Sequence, residues 1–356
     1  MGDTEKKGGP EPAAATVEMQ PGAEPAAAAP RKKLSVVVSV YNEEAALPLF
    51  YRTAGSILDL ADWDHELIFV NDGSVDDSRA ILYRITKEDP KVRVIHFSRN
   101  FGHEAAMIAG IDFASGDAVI CMDADLQHPP ACIPEMLKLF DEGYDVISMV
   151  RRANKSAGLI KNITSNGFYA VMNALSGTEF EKNASDFFGV SRRAAQILRE
   201  NYRESVRFLR GYVQSLGFRH TTLDYEAADR AAGHSKYSIR KLFRFSMNTI
   251  ISFSDLPLRL GIYAGGFSGL LGLILLIYSV AVKFRKGAPD GYTTIIVLIC
   301  FMFAVLFLLV GIIGQYIGVL FQEIKGRPLY LVEETLNFPE KNCSEKVIPE
   351  KNAGKE

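Results

Sequence analysis

The sequence predicts an α/β domain with a mainly parallel sheet, followed by helices that lie on a membrane and then cross it. Two observations carry this expectation. Through the N-terminal half, β-branched apolar runs alternate with stretches of helical periodicity, the pattern of a parallel sheet joined by crossover helices. Toward the other end, residues 261–282 and 291–322 run for 22 and 32 residues without a charge. Both runs exceed the roughly 20 residues that a helix needs to span a bilayer core.

The elements follow in order. Residues 1–33 are rich in Ala, Pro, Glu and Gly and read as a disordered tail that buries too little surface to offset its ordering entropy. LSVVVSV (34–40) has the composition of a buried parallel strand, with a helix expected over 43–60. HELIFVND (65–72) is the second strand, ending in Asp-Gly-Ser, with a helix over 76–88. VRVIHFS (92–98) is the third strand, before a helix from about 103 to 114. DAVICMDAD (117–125) reads as the fourth strand and YDVISMV (144–150) as the fifth. Residues 151–235 are mixed and polar, with helical signals at 157–175 and 192–203. Residues 236–260 mix basic and large apolar side chains ahead of the first charge-free run, as an interfacial amphipathic helix does.

The spans are expected at about 261–282 and 292–321, with residues 323–356 as a C-terminal tail. The connector between them, KFRKGAPDG, is short and carries Lys283, Arg285 and Lys286. More basic residues flank the outer ends, among them Arg240, Lys241, Arg244, Arg259, Lys325 and Arg327. The positive-inside rule then expects the globular domain and the C-terminus on the cytoplasmic side.

Composition narrows the function classes. A net charge of −2 over 356 residues offers no global basic field for nucleic acid. The four cysteines form no CxxC pair, which argues against a zinc site or a disulfide framework and for a reducing compartment.

In an open parallel sheet, ligands bind beyond the C-terminal strand ends. Tyr41 to Glu43, Asp72 to Ser74, Arg99 and Asn100, Asp123 to Gln127 and Arg151 all fall at such ends. Asp123 and Asp125 read as a solvated turn, a general acid/base pair or a hard-metal site. If the strand ran on, both would point the same way and repel. A divalent cation such as Mg²⁺ or Mn²⁺ relieves that repulsion and suits oxygen ligands that share an ion with a phosphate. No Walker-A or GxGxxG sequence follows an early strand, so a metal-bridged diphosphate would replace the usual backbone cradle. Local cationic charge is available in Arg151, Arg152, Arg230 and the Gly233-His234-Ser235-Lys236 segment.

SVVVSVYNEE, FVNDGSVDDS, SRNFGHEAAMIAGID, DADLQHPP, GHSKYS and QEIKGRPLY together resemble the membrane-bound polyprenyl-phosphate glycosyltransferases of glycosyltransferase family 2, which are related to the dolichyl-phosphate mannose synthases. The resemblance covers about residues 34–332. It implies a GT-A fold over 34–235 and transfer of one sugar from a nucleotide sugar, expected to be UDP-linked, to undecaprenyl phosphate or a similar polyprenyl phosphate. A GDP-mannose-using enzyme is the alternative. It also implies roles: Tyr41, Glu43 and Asp72, with Ser74 and Asn100 on the same rim, for the nucleotide sugar; Gln127 beside the diphosphate or sugar; Asp123 and Asp125 for the metal. Asp186 corresponds to an aspartate facing the reacting centre, its other reading being a helix or loop cap. Arg230, Ser235 and Lys236 lie in what resembles an acceptor-binding loop. Similar enzymes can assemble through their spans, so the resemblance leaves room for a homo-oligomer, while the sequence itself does not fix the oligomeric state.

Phe188 and Ala227 stand where such enzymes often carry arginine, which leaves acceptor contacts and sugar preference open. A processive polysaccharide synthase would need a QxxRW motif, and the one tryptophan, Trp63, lies in no such motif. A catalytically silent scaffold would not retain the acidic pair.

Overall fold

The computed structural model describes residues 31–152, 181, 184–204, 207–226, 256–286 and 291–339. Five strands follow the expected order: β1 (Lys33–Val40), β2 (Asp64–Asn71), β3 (Val92–Phe97), β4 (Ala118–Asp123) and β5 (Val146–Arg151). Helices α1 (Leu47–Leu58), α2 (Ser78–Glu88), α3 (His103–Phe113) and α4 (Ile133–Asp141) fall between them. The chain continues through β6 (Ala184–Ser191), α5 (Arg192–Asn201), α6 (Leu209–Ser215) and β7 (His220–Tyr225). Two long helices, α7 (Leu256–Lys286) and α8 (Tyr292–Ile324), precede a last strand, β8 (Val332–Leu336).

All eight strands form one sheet in the order β7-β5-β6-β4-β1-β2-β3-β8. β1 pairs in parallel with β2 and β4, β2 with β3, and β5 with β7, whereas β6 runs antiparallel between β4 and β5. The sheet is buried on both faces, so its strands need apolar residues at successive positions. In β1, Val36 and Val38 join one core cluster with Phe50, Phe69 and Met122, and Val37 joins the other with Ile68, Cys121 and Phe188. α3 lies so close over β1 that a Cβ on Gly110 would sit 2.0 Å from Val37 Cγ1. Only glycine admits that approach.

Four features depart from the sequence expectations. First, α1 starts at Leu47 rather than Glu43. Asn42 has φ +58°, and the amides of Glu43 and Glu44 donate to the side chains of Ser78 and Asp76, so this segment turns instead of coiling. Second, β4 stops at Asp123, leaving Asp125 in a turn where Leu126 has φ +64°. Third, ASDFFGVS forms strand β6, so Asp186 sits on a strand and not at a cap.

Fourth, residues 329–338 of the expected tail return to the sheet, where β8 pairs antiparallel with β3. Tyr330 stacks on Phe97 with ring centroids 5.1 Å apart and donates its hydroxyl to Asp112 Oδ2 at 2.7 Å. Asn337 Nδ2 donates to the carbonyls of Thr86 and Val92, each at 2.9 Å. The segment covers a strand edge that would otherwise expose unpaired backbone groups.

α7 and α8 pack against each other. Among the described residues one stretch, Phe301–Ile324, is long and apolar enough to cross a membrane. The expected helix at 157–175, the interfacial segment up to residue 255, and Ala227, Arg230, Ser235 and Lys236 lie outside the described residues.

Candidate active site

The pleat of the sheet selects the residues that meet at its C-terminal rim. Val37, Cys121 and Phe188 belong to the core cluster beneath α3, and positions two residues away along a strand share the same face. Ser39, Asp123 and Asp186 are those positions. β1 and β4 pair with Ser39 opposite Asp123. β4 and β6 pair with Cys121 opposite Phe188, so continuing two residues along both antiparallel strands brings Asp123 and Asp186 together.

The first turn of α3 covers this meeting point. Ser39 Oγ donates to Asp123 Oδ1 at 2.9 Å and lies 2.8 Å from His103 Nδ1. His103 Nδ1 is 3.3 Å from Asp123 Oδ1, and its Nε2 is 3.9 Å from Asp186 Oδ2. Arg210 Nε approaches the other oxygen of Asp186, also at 3.9 Å. Burial pulls the His103 pKa down, but the carboxylates of Asp123, Asp186, Glu104 and Asp72 outweigh it and hold the imidazole above its ordinary value. Glu104, on the same turn, is pushed up to about 7, first by burial and then by Asp186, against the pull of His103 and Arg210.

The Asp-Ala-Asp turn is fixed from beneath. The Asp123 amide donates to His128 Nδ1 at 3.0 Å. His128 is buried, stacks on Phe187 at 5.1 Å and meets Tyr225 edge-on at 6.0 Å. A ring nitrogen that accepts carries no proton, so the ring hydrogen of His128 is on Nε2. The Gln127 amide donates to Asp125 Oδ1 at 3.0 Å, an Asx-type closure of the loop.

Two further loops build the far end of the rim. The Asn42 amide donates to Ser74 Oγ at 3.0 Å, and the Val75 amide donates to Asn42 Oδ1 at 2.9 Å. Glu44 and Asp77 add a third cross-link, with the Asp77 amide donating to Glu44 Oε2. Tyr41 stands exposed above this stitched pair of loops. Asp72 is buried, and its Oδ1 and Oδ2 accept from the amides of Phe101 and Gly102 at 2.6 and 2.9 Å. Burial pushes its carboxyl up, against those two bonds and the charges of His103 and Arg207. The Asn100 side chain donates to the Asp72 carbonyl at 3.3 Å. Asp72 therefore latches the loop that carries Asn100 onto the end of β2.

Gly73 makes the latch close. Its φ is +64°, and a Cβ there would lie 2.5 Å from the carbonyl carbon of Arg99. Gly73→Ala is expected to cost about 2–4 kcal/mol through left-handed strain and backbone overlap. It should also loosen the loop that carries Asn100. Thermal melting and amide hydrogen exchange check both.

The chain is similar to known proteins over most of its length. The model of glycosyl transferase family 2 matches residues 35–199. The SfII prophage-derived bactoprenol glucosyl transferase of Shigella flexneri is 34% identical over 304 residues, 85% of this chain and 98% of its own. The bactoprenol glucosyl transferase of Shigella phage SfV is 35% identical over 302 residues, 85% and 98% of the two chains. The chain belongs to glycosyl transferase family 2. A further member-level match is the glycosyltransferase YkcC of Bacillus subtilis (strain 168), 36% identical over 308 residues, 86% of this chain and 95% of its own. A crystal structure of glucosyl-3-phosphoglycerate synthase from Mycobacterium tuberculosis with Mn²⁺, UDP-glucose and phosphoglyceric acid is similar at a TM-score of 0.44 and 22% identity, covering 62% of this chain and 78% of that one.

In this family 2 chain the rim gathers Asp123 and Asp186 around one histidine, while Asp72, Ser74 and Asn100 are joined through the stitched loops. Arg151 ends β5, opposite Tyr225 of β7. Phe188 is buried in the core under α3, so its side chain packs the sheet. Among the described residues no three His, Cys, Asp or Glu side chains converge as a metal-binding group. That is compatible with a small hard cation that takes one or two carboxylates from the protein and its other ligands from phosphate and water; Asp123 ends β4 and Asp125 follows it in the turn, so two carboxylates are available there.

The sequence reading missed His103, Glu104 and Arg210, and placed Asn42 on the rim without a role. The signal for His103 was its place directly after a glycine and at the start of the helix that crosses from β3 to β4. A helix in that connection opens at the strand ends and so presents its first residues to the rim.

Proposed function

We propose that the protein is an inverting, divalent-metal-dependent glycosyltransferase that moves one hexose from a UDP-linked donor to undecaprenyl phosphate or a similar polyprenyl phosphate. The observation that carries this reading is the meeting of Asp123 and Asp186 on the two sides of His103 at the sheet rim. The near full-length likeness to bactoprenol glucosyl transferases supports the acceptor class.

In the reaction a phosphate oxygen of the lipid attacks the anomeric carbon as the bond to the nucleoside diphosphate breaks. When bound, Mg²⁺ or Mn²⁺ supplies Lewis-acid neutralisation of the leaving diphosphate. Asp123 and Asp125 are the residues that would hold it. Tyr41, Glu43 and the latched loop of Asp72, Ser74 and Asn100 form the nucleoside end, with Gln127 at the diphosphate. A phosphate monoester has a second pKa of about 6 and arrives largely ionised, so the acceptor needs cationic placement more than deprotonation. Arg151, with Arg230, Ser235 and Lys236, is assigned that placement. Asp186 orients the incoming phosphate. Displacement from the opposite side turns an α-linked donor into a β-linked product.

A bilayer location is supported by Phe301–Ile324 of α8, among the described residues the one stretch long and apolar enough to cross a membrane. Exposed Phe307, Ile313, Ile317 and Phe321 on α8 are apolar surface that lipid covers at less cost than water. The basic residues that flank the charge-free runs favour a cytoplasmic catalytic domain under the positive-inside rule. The test incubates membranes with a panel of nucleotide sugars and polyprenyl phosphate and identifies the lipid product by mass spectrometry. A UDP-hexose is expected to yield a monoglycosyl polyprenyl phosphate. Transfer from GDP-mannose alone would overturn the donor assignment, and no lipid product from any donor would overturn the function.

A further inference from the structure

We propose that His103 is a positioning residue that stands between the carboxylates of Asp123 and Asp186 and sets the distance between the metal side and the acceptor side of the site. The inference deepens the glycosyltransferase reading and rests on it. Its basis is a chain of contacts across four elements. β1 brings Ser39, β4 Asp123, β6 Asp186, and the first turn of α3 brings His103.

The donor directions in this chain are fixed by chemistry. An ionised carboxylate only accepts, so the single hydroxyl proton of Ser39 goes to Asp123 Oδ1, 2.9 Å away. Ser39 Oγ then accepts from its other neighbour, His103 Nδ1, at 2.8 Å. The opposite edge of the same ring faces Asp186 Oδ2 at 3.9 Å. One planar side chain thus contacts both carboxylates.

Two carboxylates facing one gap repel each other, and half-exposed side chains respond by turning away into water. Asp123 and Asp186 are each about one-third exposed, so water is open to both. A ring held by Ser39 from one side opposes that separation. Such supports matter because displacement chemistry tolerates little misplacement, about 1 Å costing as much as about 10²-fold in rate.

The substitutions separate the two ends of the ring. His103→Asn retains a donor near the Nδ1 position and loses the edge that faces Asp186, whereas His103→Ala loses both. Mn²⁺ binding in the presence of UDP, followed by electron paramagnetic resonance, reads the Asp123 end without turnover. In His103→Ala this binding is expected to weaken about tenfold and kcat to fall about 10- to 100-fold, the usual span for a residue that supports metal ligands. With Mn²⁺ saturating, the donor KM should stay near the wild-type value. His103→Asn is expected to recover Mn²⁺ binding but not kcat, with a wild-type melting temperature.

Wild-type Mn²⁺ binding and kcat in His103→Ala would overturn the proposal, as would a loss confined to the donor KM. If His103→Ala does not fold, wild-type kcat in His103→Asn overturns it alone. A wild-type protein that binds Mn²⁺ and UDP yet glycosylates no polyprenyl phosphate defeats the functional reading instead. The Mn²⁺ titrations of the variants then still decide whether His103 supports Asp123.

Discussion

Asp125→Asn is expected to abolish sugar transfer while leaving the fold intact, lowering kcat/KM by about 10³-fold, equivalent to about 4 kcal/mol of lost transition-state stabilisation. The turn explains why asparagine is the informative replacement. Asp125 Oδ1 accepts the Gln127 amide, and an asparagine oxygen accepts the same bond, so the loop with Leu126 at φ +64° keeps its closure. What disappears is the negative charge. Asp125→Ala removes both charge and closure, so it should lose activity at least as far and also lower the melting temperature. Chelation of divalent ions should silence the wild type, with recovery on adding Mg²⁺ or Mn²⁺. Retained wild-type activity of Asp125→Asn in Mg²⁺ would sink the metal assignment.

The parallel core was legible because its signal is local. A run such as LSVVVSV states strand, burial on both faces and orientation within seven residues, and β1 falls where that run lies. β6 was hidden because ASDFFGVS mixes small, acidic and aromatic residues, and its strand state comes from pairing with β4 and β5. β8 was hidden by position. Five partly polar residues after a long apolar helix carry little periodicity, and the partner strand, β3, lies more than two hundred residues earlier.

The same distinction runs through the site. Asp123 and Asp125 were visible because two carboxylates after an apolar strand are unusual in sequence. His103 was invisible because its meaning comes from three other elements, Ser39 on β1, Asp123 on β4 and Asp186 on β6. Asp72 was read as a ligand group from its place at a strand end, and the structure gives it a second task. Its two oxygens hold the Phe101 and Gly102 amides, so replacing it would displace a loop as well as a carboxylate. His128 likewise turns out to support the Asp123 amide from the core side.

Asp186→Asn is the substitution that separates orientation from proton abstraction. The variant should fold normally, because the carboxylate contacts His103 and Arg210 at 3.9 Å each, beyond hydrogen-bond length, and partly exposed ion pairs contribute at most about 1 kcal/mol. Mn²⁺ and UDP binding should also persist, since Asp123 and Asp125 remain. If Asp186 orients the acceptor, kcat falls by about 10²-fold, at the lower end of what a positioned acid or base supplies. Activity in the variant then still rises through about pH 6 as the acceptor phosphate loses its second proton. Were Asp186 the general base, kcat would drop by about 10⁴-fold and raising the pH would restore part of it as hydroxide replaced the missing carboxylate. An acceptor that is already a dianion at neutral pH leaves a base little to remove. The smaller loss is therefore the expected result, and a loss of about 10⁴-fold that high pH partly restores in Asp186→Asn would transfer the role from placement to proton abstraction.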